Sequence, residues 1–179
     1  MIGAHAREGF ERILFHALRT RLAPRPDDPC EIARAGEAGG PGLPHAHLAV
    51  LTLSGLAFRL LLILHFDEDE RTVRHYVRDD GQRAFREVFL EISNLCCGAL
   101  NQALQRHFPD LGMSTPYLLS AKCASYLAAL KPDLLATYAV TLAGGVTLGA
   151  TLCVCAHAPL DFVAQIDDVP ETGGELELF

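Results

Sequence analysis

Glu87, Glu91, Asn94 and Gly98 fall at offsets of four, three and four residues. In a helix turning about 100° per residue, those offsets place all four on one face. A carboxylate accepts an ion pair or a hydrogen bond from a lysine or arginine. A carboxamide both donates and accepts, so it can hold and orient one water molecule. Phosphoryl-transfer sites use a water-positioning amide in this way, without a strong base. An acidic helix face is ordinarily just a solvated one, but two residues here depart from that. Asn is a mediocre helix former, and Gly in mid-helix costs about 1 kcal/mol relative to Ala. A glycine on an outward stripe is useful where another surface must come close. The sequence carries no phosphate-cradling Gly-rich loop, nucleophilic-cysteine signature or metal-ligand cluster beside this stripe. A hydrolysis run from it would need the phosphoryl group, the metal and the lysine from a partner.

The stripe needs a long helix, and the pattern supplies one. Asp79-Asp80 opens it and it runs to about His107, where Phe108-Pro109 stops it. Phe85, Phe89, Ile92, Cys96, Ala99 and Ala103 share a side expected to face a sheet. Upstream, Ala6 to Leu22 reads as a helix, with Phe10, Ile13, Leu14, Ala17 and Leu18 on one side. The Pro- and Gly-rich stretch from Pro24 to Pro44 reads as a long loop. His47 to Leu53 and Leu56 to Phe66 predict a hairpin, and Asp67 a helix cap for a short helix ending near Arg78. Further strands are expected at Met113 to Ser120, at Ala124 to Leu130 and in two arms around Gly144-Gly145. The acidic tail from Asp167 to Phe179 is expected to be loosely held. The order predicts one α+β domain over residues 1–179, with no internal repeat.

Composition narrows the class. The 179 residues are 50% hydrophobic and 21% charged, with a net charge of −7. That argues against bulk disorder, and against a nucleic-acid or anionic-membrane partner, which calls for a basic patch. Leu134 to Leu160 has no charged residue, but Gly144, Gly145, Gly149 and four threonines fit a buried hairpin better than a membrane span. Arg7, Glu8, Glu11 and Arg12 interrupt the early apolar residues, so no secretory signal is expected to open the chain. A cytoplasmic, reduced protein is expected, with its six cysteines as thiols.

Glu91-Ile-Ser-Asn94-Leu-Cys-Cys-Gly98 resembles the Glu-x2-Asn-x3-Gly signature of the CheC/CheX/FliY chemotaxis phosphatases. The family's wider pattern places an Asp or Ser four residues before the Glu, and a Pro about 22 residues after the Asn. Glu87 stands at the first of these positions and Pro116 at the second. His65-Phe66-Asp67-Glu68 ending a strand, then a short helix, then the signature helix, is similar to the CheX branch. The resemblance covers roughly Leu48 to His157.

It implies a fold with an antiparallel-rich sheet on which the signature helix packs. It also implies an aspartyl-phosphate phosphatase acting on a phosphorylated CheY-like response regulator. Glu91 would then contact the regulator's lysine and Asn94 would position the attacking water, with Glu87, Gly98 and Pro116 at the partner-binding surface. The chain would need no cofactor of its own, Mg²⁺ being supplied by the regulator. Asn94 and Asn101 are the two asparagines of the sequence, so a second Glu-x2-Asn site is impossible. That matches the single-site CheX branch, and with it a homodimer is implied. Glu87 and Cys96-Cys97 depart from the residues usual in the family at their positions.

Two other readings compete. The same fold could bind a regulator or flagellar-switch component without hydrolysis; the intact Glu-Asn pair favours the enzyme, and Glu87 the binding module. Cys153-x-Cys155-x-His157 could align three metal ligands along a strand, but zinc sites usually pair Cys-x2-4-Cys and need a fourth ligand, so core thiols are expected. His16, His45, His47, His75 and His107 are read as loop, surface or capping residues.

Overall fold

The computed structural model describes residues 1–23, 25, 27–35, 43–77 and 84–166. The expected Asp79-Asp80 helix entry, parts of the Pro/Gly stretch and the acidic tail lie outside these residues. Helix α1 (Ala4–Arg21) leads into strand β1 (Cys30–Arg34), then β2 (His47–Ser54) and β3 (Phe58–Phe66). Helices α2 (Glu70–Tyr76) and α3 (Phe85–Gln105) follow, then β4 (Gly112–Met113), β5 (Tyr117–Ser120), a 3₁₀ segment (Ala121–Leu130), β6 (Leu134–Leu142) and β7 (Val146–Ala156).

The seven strands form one sheet in the order β1-β6-β7-β3-β2-β4, with β5 also pairing with β2. All these strand pairs are antiparallel. The two predicted hairpins are its centre. Leu51 pairs with Leu62 in the β2–β3 hairpin and Thr137 with Thr151 in the β6–β7 hairpin. Gly144 and Gly145 both take φ of +74° at the β6–β7 turn, a backbone that side-chain-bearing residues adopt at a cost.

One face of the sheet carries the main core. Ala49, Leu51 and Leu53 of β2, Leu60, Leu62 and Leu64 of β3, and Leu148, Ala150 and Leu152 of β7 are buried there with α1 and α3. The helices lie side by side, α1 reaching β1 and α3 reaching β2. Glu11 of α1 accepts a hydrogen bond from the Tyr138 hydroxyl of β6 at 2.8 Å, and Phe15 meets the same ring edge-on. On the opposite face, Leu48, Val50 and Ile63 pack under Ala121, Cys123, Ala124 and Leu127 of the 3₁₀ segment.

Four local expectations are corrected. The Pro24 to Pro44 stretch contains β1, which pairs with β6 from Cys30↔Leu142 to Arg34↔Tyr138. Ala124 to Leu130 belongs to the 3₁₀ segment instead of a strand: Ser120 caps its start, Lys131 at φ 50° closes it, and its Ala-rich sequence lacks β-branched residues. Met113 to Ser120 splits into β4 and β5 around Pro116, which has no N–H for a ladder. The α2 cap is Asp69, whose carboxylate accepts from Arg71 N and Thr72 N. Asp67 is used elsewhere: it accepts from Ala46 N at 2.8 Å and lies 2.9 Å from His45 Nδ1.

Candidate functional site on the long helix

The site is a face of α3, and the core residues of that helix set its direction. Phe85, Phe89, Ser93, Cys96, Cys97, Leu100 and Leu104 are buried. Ile92, Ala99 and Ala103, expected on the side facing the sheet, are half-buried at its margin. The helix is rolled so that the polar-looking Ser93 points inward, its hydroxyl donating to Phe89 O at 2.7 Å. That bond satisfies the buried hydroxyl within its own helix.

Aromatic rings fix the first half of α3. Phe89 lies 4.2 Å from Phe66 at the end of β3 and 5.7 Å from both Phe85 and Tyr76. The Tyr76 hydroxyl donates to Leu22 O at 3.0 Å, tying α2 to the end of α1. At the sheet's rim, Glu68 accepts from Arg86 Nε at 2.7 Å and lies 3.3 Å from His47 Nε2. Cys96 and Cys97 anchor the middle. Burial pushes both thiols up, Cys97 to about 12, so they stay protonated packing groups at neutral pH.

Opposite this anchored side lies the stripe. Glu87 and Glu91 are exposed, and Asn94 and Gly98 are half-buried. A Cβ built on Gly98 would meet nothing within 4 Å, so no neighbour in the fold requires a glycine there. Leu95, at 51% exposure, stands beside the stripe on the same helix. Pro116 is half-buried in the segment between β4 and β5, where the N–H of Ser114, two residues earlier, donates to Thr52 O at 2.9 Å. The helix thus brings Glu87, Glu91, Asn94 and Gly98 together, and Pro116 belongs to the sheet's edge.

Of the other candidates, the two cysteines lie together and His157 stands apart from them. Cys153 and Cys155 are buried, and burial first, then Cys155, pushes the Cys153 thiol up to about 12. Cys155 donates to Leu130 O at 3.7 Å, whereas His157 is exposed. Among the described residues no group of three or more His, Cys, Asp or Glu is placed to hold a metal ion.

Sequence reading missed one buried polar cluster. His45, read as a surface or loop residue, is buried against Asp67. His65 is 4% exposed, and its Nε2 lies 2.8 Å from Thr151 Oγ1, itself 2.9 Å from Thr137 Oγ1. Burial first, then the nearby His45, pushes the His65 imidazole down to about 4. The alternation of β3 and β7 was the available signal, since it turns His65 and Thr151 to the same face.

No protein-family model matches the chain, and no curated protein matches it in sequence. Solved structures do match. A CheX chemotaxis protein from Vibrio vulnificus superposes with a TM-score of 0.57, covering 82% of this chain and 96% of its own, at 15% identity. A CheC-like superfamily protein from Shewanella sp. PV-4 gives 0.52 at 12% identity, over 85% and 98% of the two chains. The chain has the CheX/CheC-like fold. A chain of the CheX–CheY–BeF3–Mg²⁺ complex from Borrelia burgdorferi also shares it, with a TM-score of 0.51 and 12% identity over 83% and 96%. In this CheX-like fold the long helix is α3, and the stripe is on its outer side. No helix among the described residues is long and apolar enough to cross a membrane.

Proposed function

We propose that the chain hydrolyses the aspartyl-phosphate of a CheY-like response regulator in chemotaxis or another two-component pathway. The observation that carries this reading is the outward placing of Glu91 and Asn94 beside the open Gly98 on a helix anchored along its opposite side. Support also comes from the fold, which is shared with a CheX solved in complex with CheY, BeF3 and Mg²⁺.

In this reading the regulator contributes the phosphorylated aspartate, Mg²⁺ and a lysine. The Glu91 carboxylate accepts an ion pair from that lysine, which fixes how the two surfaces meet. The Asn94 amide accepts a hydrogen bond from one water and donates to the developing charge. The water then attacks phosphorus along the line of the breaking bond to the aspartyl oxygen. Aspartate and inorganic phosphate are the products. Gly98 lets the regulator's surface approach the helix backbone, and Glu87 and Pro116 border the contact. The chain needs no cofactor of its own, and it acts as a homodimer in the reduced cytoplasm.

The test incubates phosphorylated CheY-like regulators from the same genome with Mg²⁺, with and without the protein, and follows phosphate loss. Faster loss on at least one regulator is expected. Binding without faster loss on any of them contradicts the enzyme and leaves the binding module.

A further inference from the structure

We infer that Leu95 is a specificity-determining contact of the same helix face, seating against an apolar residue beside the phosphorylated aspartate of a CheY-like receiver. This inference rests on the regulator being the partner, and it adds which side chain selects among regulators. A lone exposed leucine is common and by itself means little. Leu95 is not alone in departing from a solvated helix face. Among the described residues of α3 it is the large apolar side chain left exposed, and Gly98, one turn on, is the glycine with open space where a side chain would be. A leucine facing water and a glycine weakening the helix are both unfavourable for the chain alone, and they sit three residues apart.

Their directions explain the pairing. At about 100° per residue, Gly98 points between Asn94 and Leu95. A surface that enters the depression at Gly98 therefore has the Asn94 amide on one side and the Leu95 side chain on the other. Glu91, one turn before Leu95, lies beside both. An occupant that fits brings a phosphoryl group within reach of the Asn94-held water and an apolar residue for Leu95. A receiver with a lysine and an apolar rim around its phosphorylated aspartate has that chemistry. One with a charged residue at the rim would leave that charge unpaired against Leu95, and would be rejected.

Leu95 touches no reacting atom in this account, so its contribution is the same before and during hydrolysis. Such uniform binding appears in KM and leaves kcat unchanged. The experiment measures affinity for several phosphorylated regulators, with kcat and KM, for native protein, Leu95→Ala, Leu95→Met and Leu95→Asp. Expected is about a fivefold to twentyfold rise in Kd and KM for Leu95→Ala on the preferred regulator, with kcat held. Leu95→Met should restore most of the loss, because it conserves apolar volume, and Leu95→Asp should weaken binding further while the melting curve stays native. Native-like affinity in Leu95→Ala, or an effect confined to kcat, overturns the inference while leaving the phosphatase reading intact if native protein still accelerates phosphate loss. Native protein that neither binds nor accelerates any regulator overturns both.

Discussion

Glu91 and Asn94 hold different chemistry one turn apart, and substitutions should separate their effects. Glu91→Gln keeps the shape and removes the charge, so it should raise KM for the regulator about tenfold, the scale of a charge-assisted hydrogen bond. Asn94→Asp keeps an acceptor and loses the donor, while placing a negative charge against a phosphoryl group; it should lose turnover and keep the native melting curve. Steady-state kinetics beside thermal unfolding reads both variants. His65 makes a prediction of another kind. Its folded value of about 4 lies below the ordinary 6.5, so as pH falls the unfolded chain takes up the proton first. Its contribution is intact above pH 6.5 and is lost progressively down to about pH 4, by up to about 3 kcal/mol. Urea unfolding across that window should show stability falling as pH falls, and His65→Gln, which keeps a polar group near Thr151, should flatten the slope. An equal slope in the variant would assign the acid sensitivity elsewhere.

At the scale of elements, α3 is a rigid mount whose mounting side and working side are built from different residues. Gly98→Ala tests this division directly. Added methyl meets no atom within the chain, so the helix should gain up to about 1 kcal/mol of stability. The same methyl fills the depression, so regulator binding should weaken. A variant that is more stable and fully active would mean that no surface enters there. Phe89→Ala, on the mounting side, should cost about 3–5 kcal/mol by removing the ring that joins Phe66, Phe85 and Tyr76. Much of this arrangement was legible in the sequence. The two hairpins declare themselves through Gly-Gly and through apolar arms, and the stripe through its spacing. The roll of α3 was harder, because Ser93 carries little hydrophobic signal and is buried with its hydroxyl bonded to the backbone, while Cys97 lies one residue off the expected core side. The strand β1 hides in a Pro/Gly stretch, since its five residues, half-covered at an edge, have too short an alternation to stand out. The 3₁₀ segment hides because small residues such as Ala carry no period. His45 and Asp67 are 22 positions apart, and only the β2–β3 hairpin brings them together.

For the whole molecule, the proposed function places catalysis in a complex, with one helix of this chain completing a site whose metal and phosphate would reside on the partner. Association between an acidic stripe and a lysine is weakened by salt. Raising ionic strength from about 0.05 to 0.5 M should therefore raise KM with little change in kcat, and a salt-independent KM would argue against the Glu91 ion pair. Sedimentation equilibrium checks the homodimer, and a monomer at micromolar concentration would contradict it. In the proposed reaction Asn94 orients the attacking water. The most direct measurement of this role is the single-turnover decay of a phosphorylated regulator, with Mg²⁺ and saturating protein, for native chain and Asn94→Ala side by side. Decay with the variant should be at least about a hundredfold slower, with regulator affinity kept within about threefold because ground-state contacts survive. Decay at the native rate in Asn94→Ala would contradict that role.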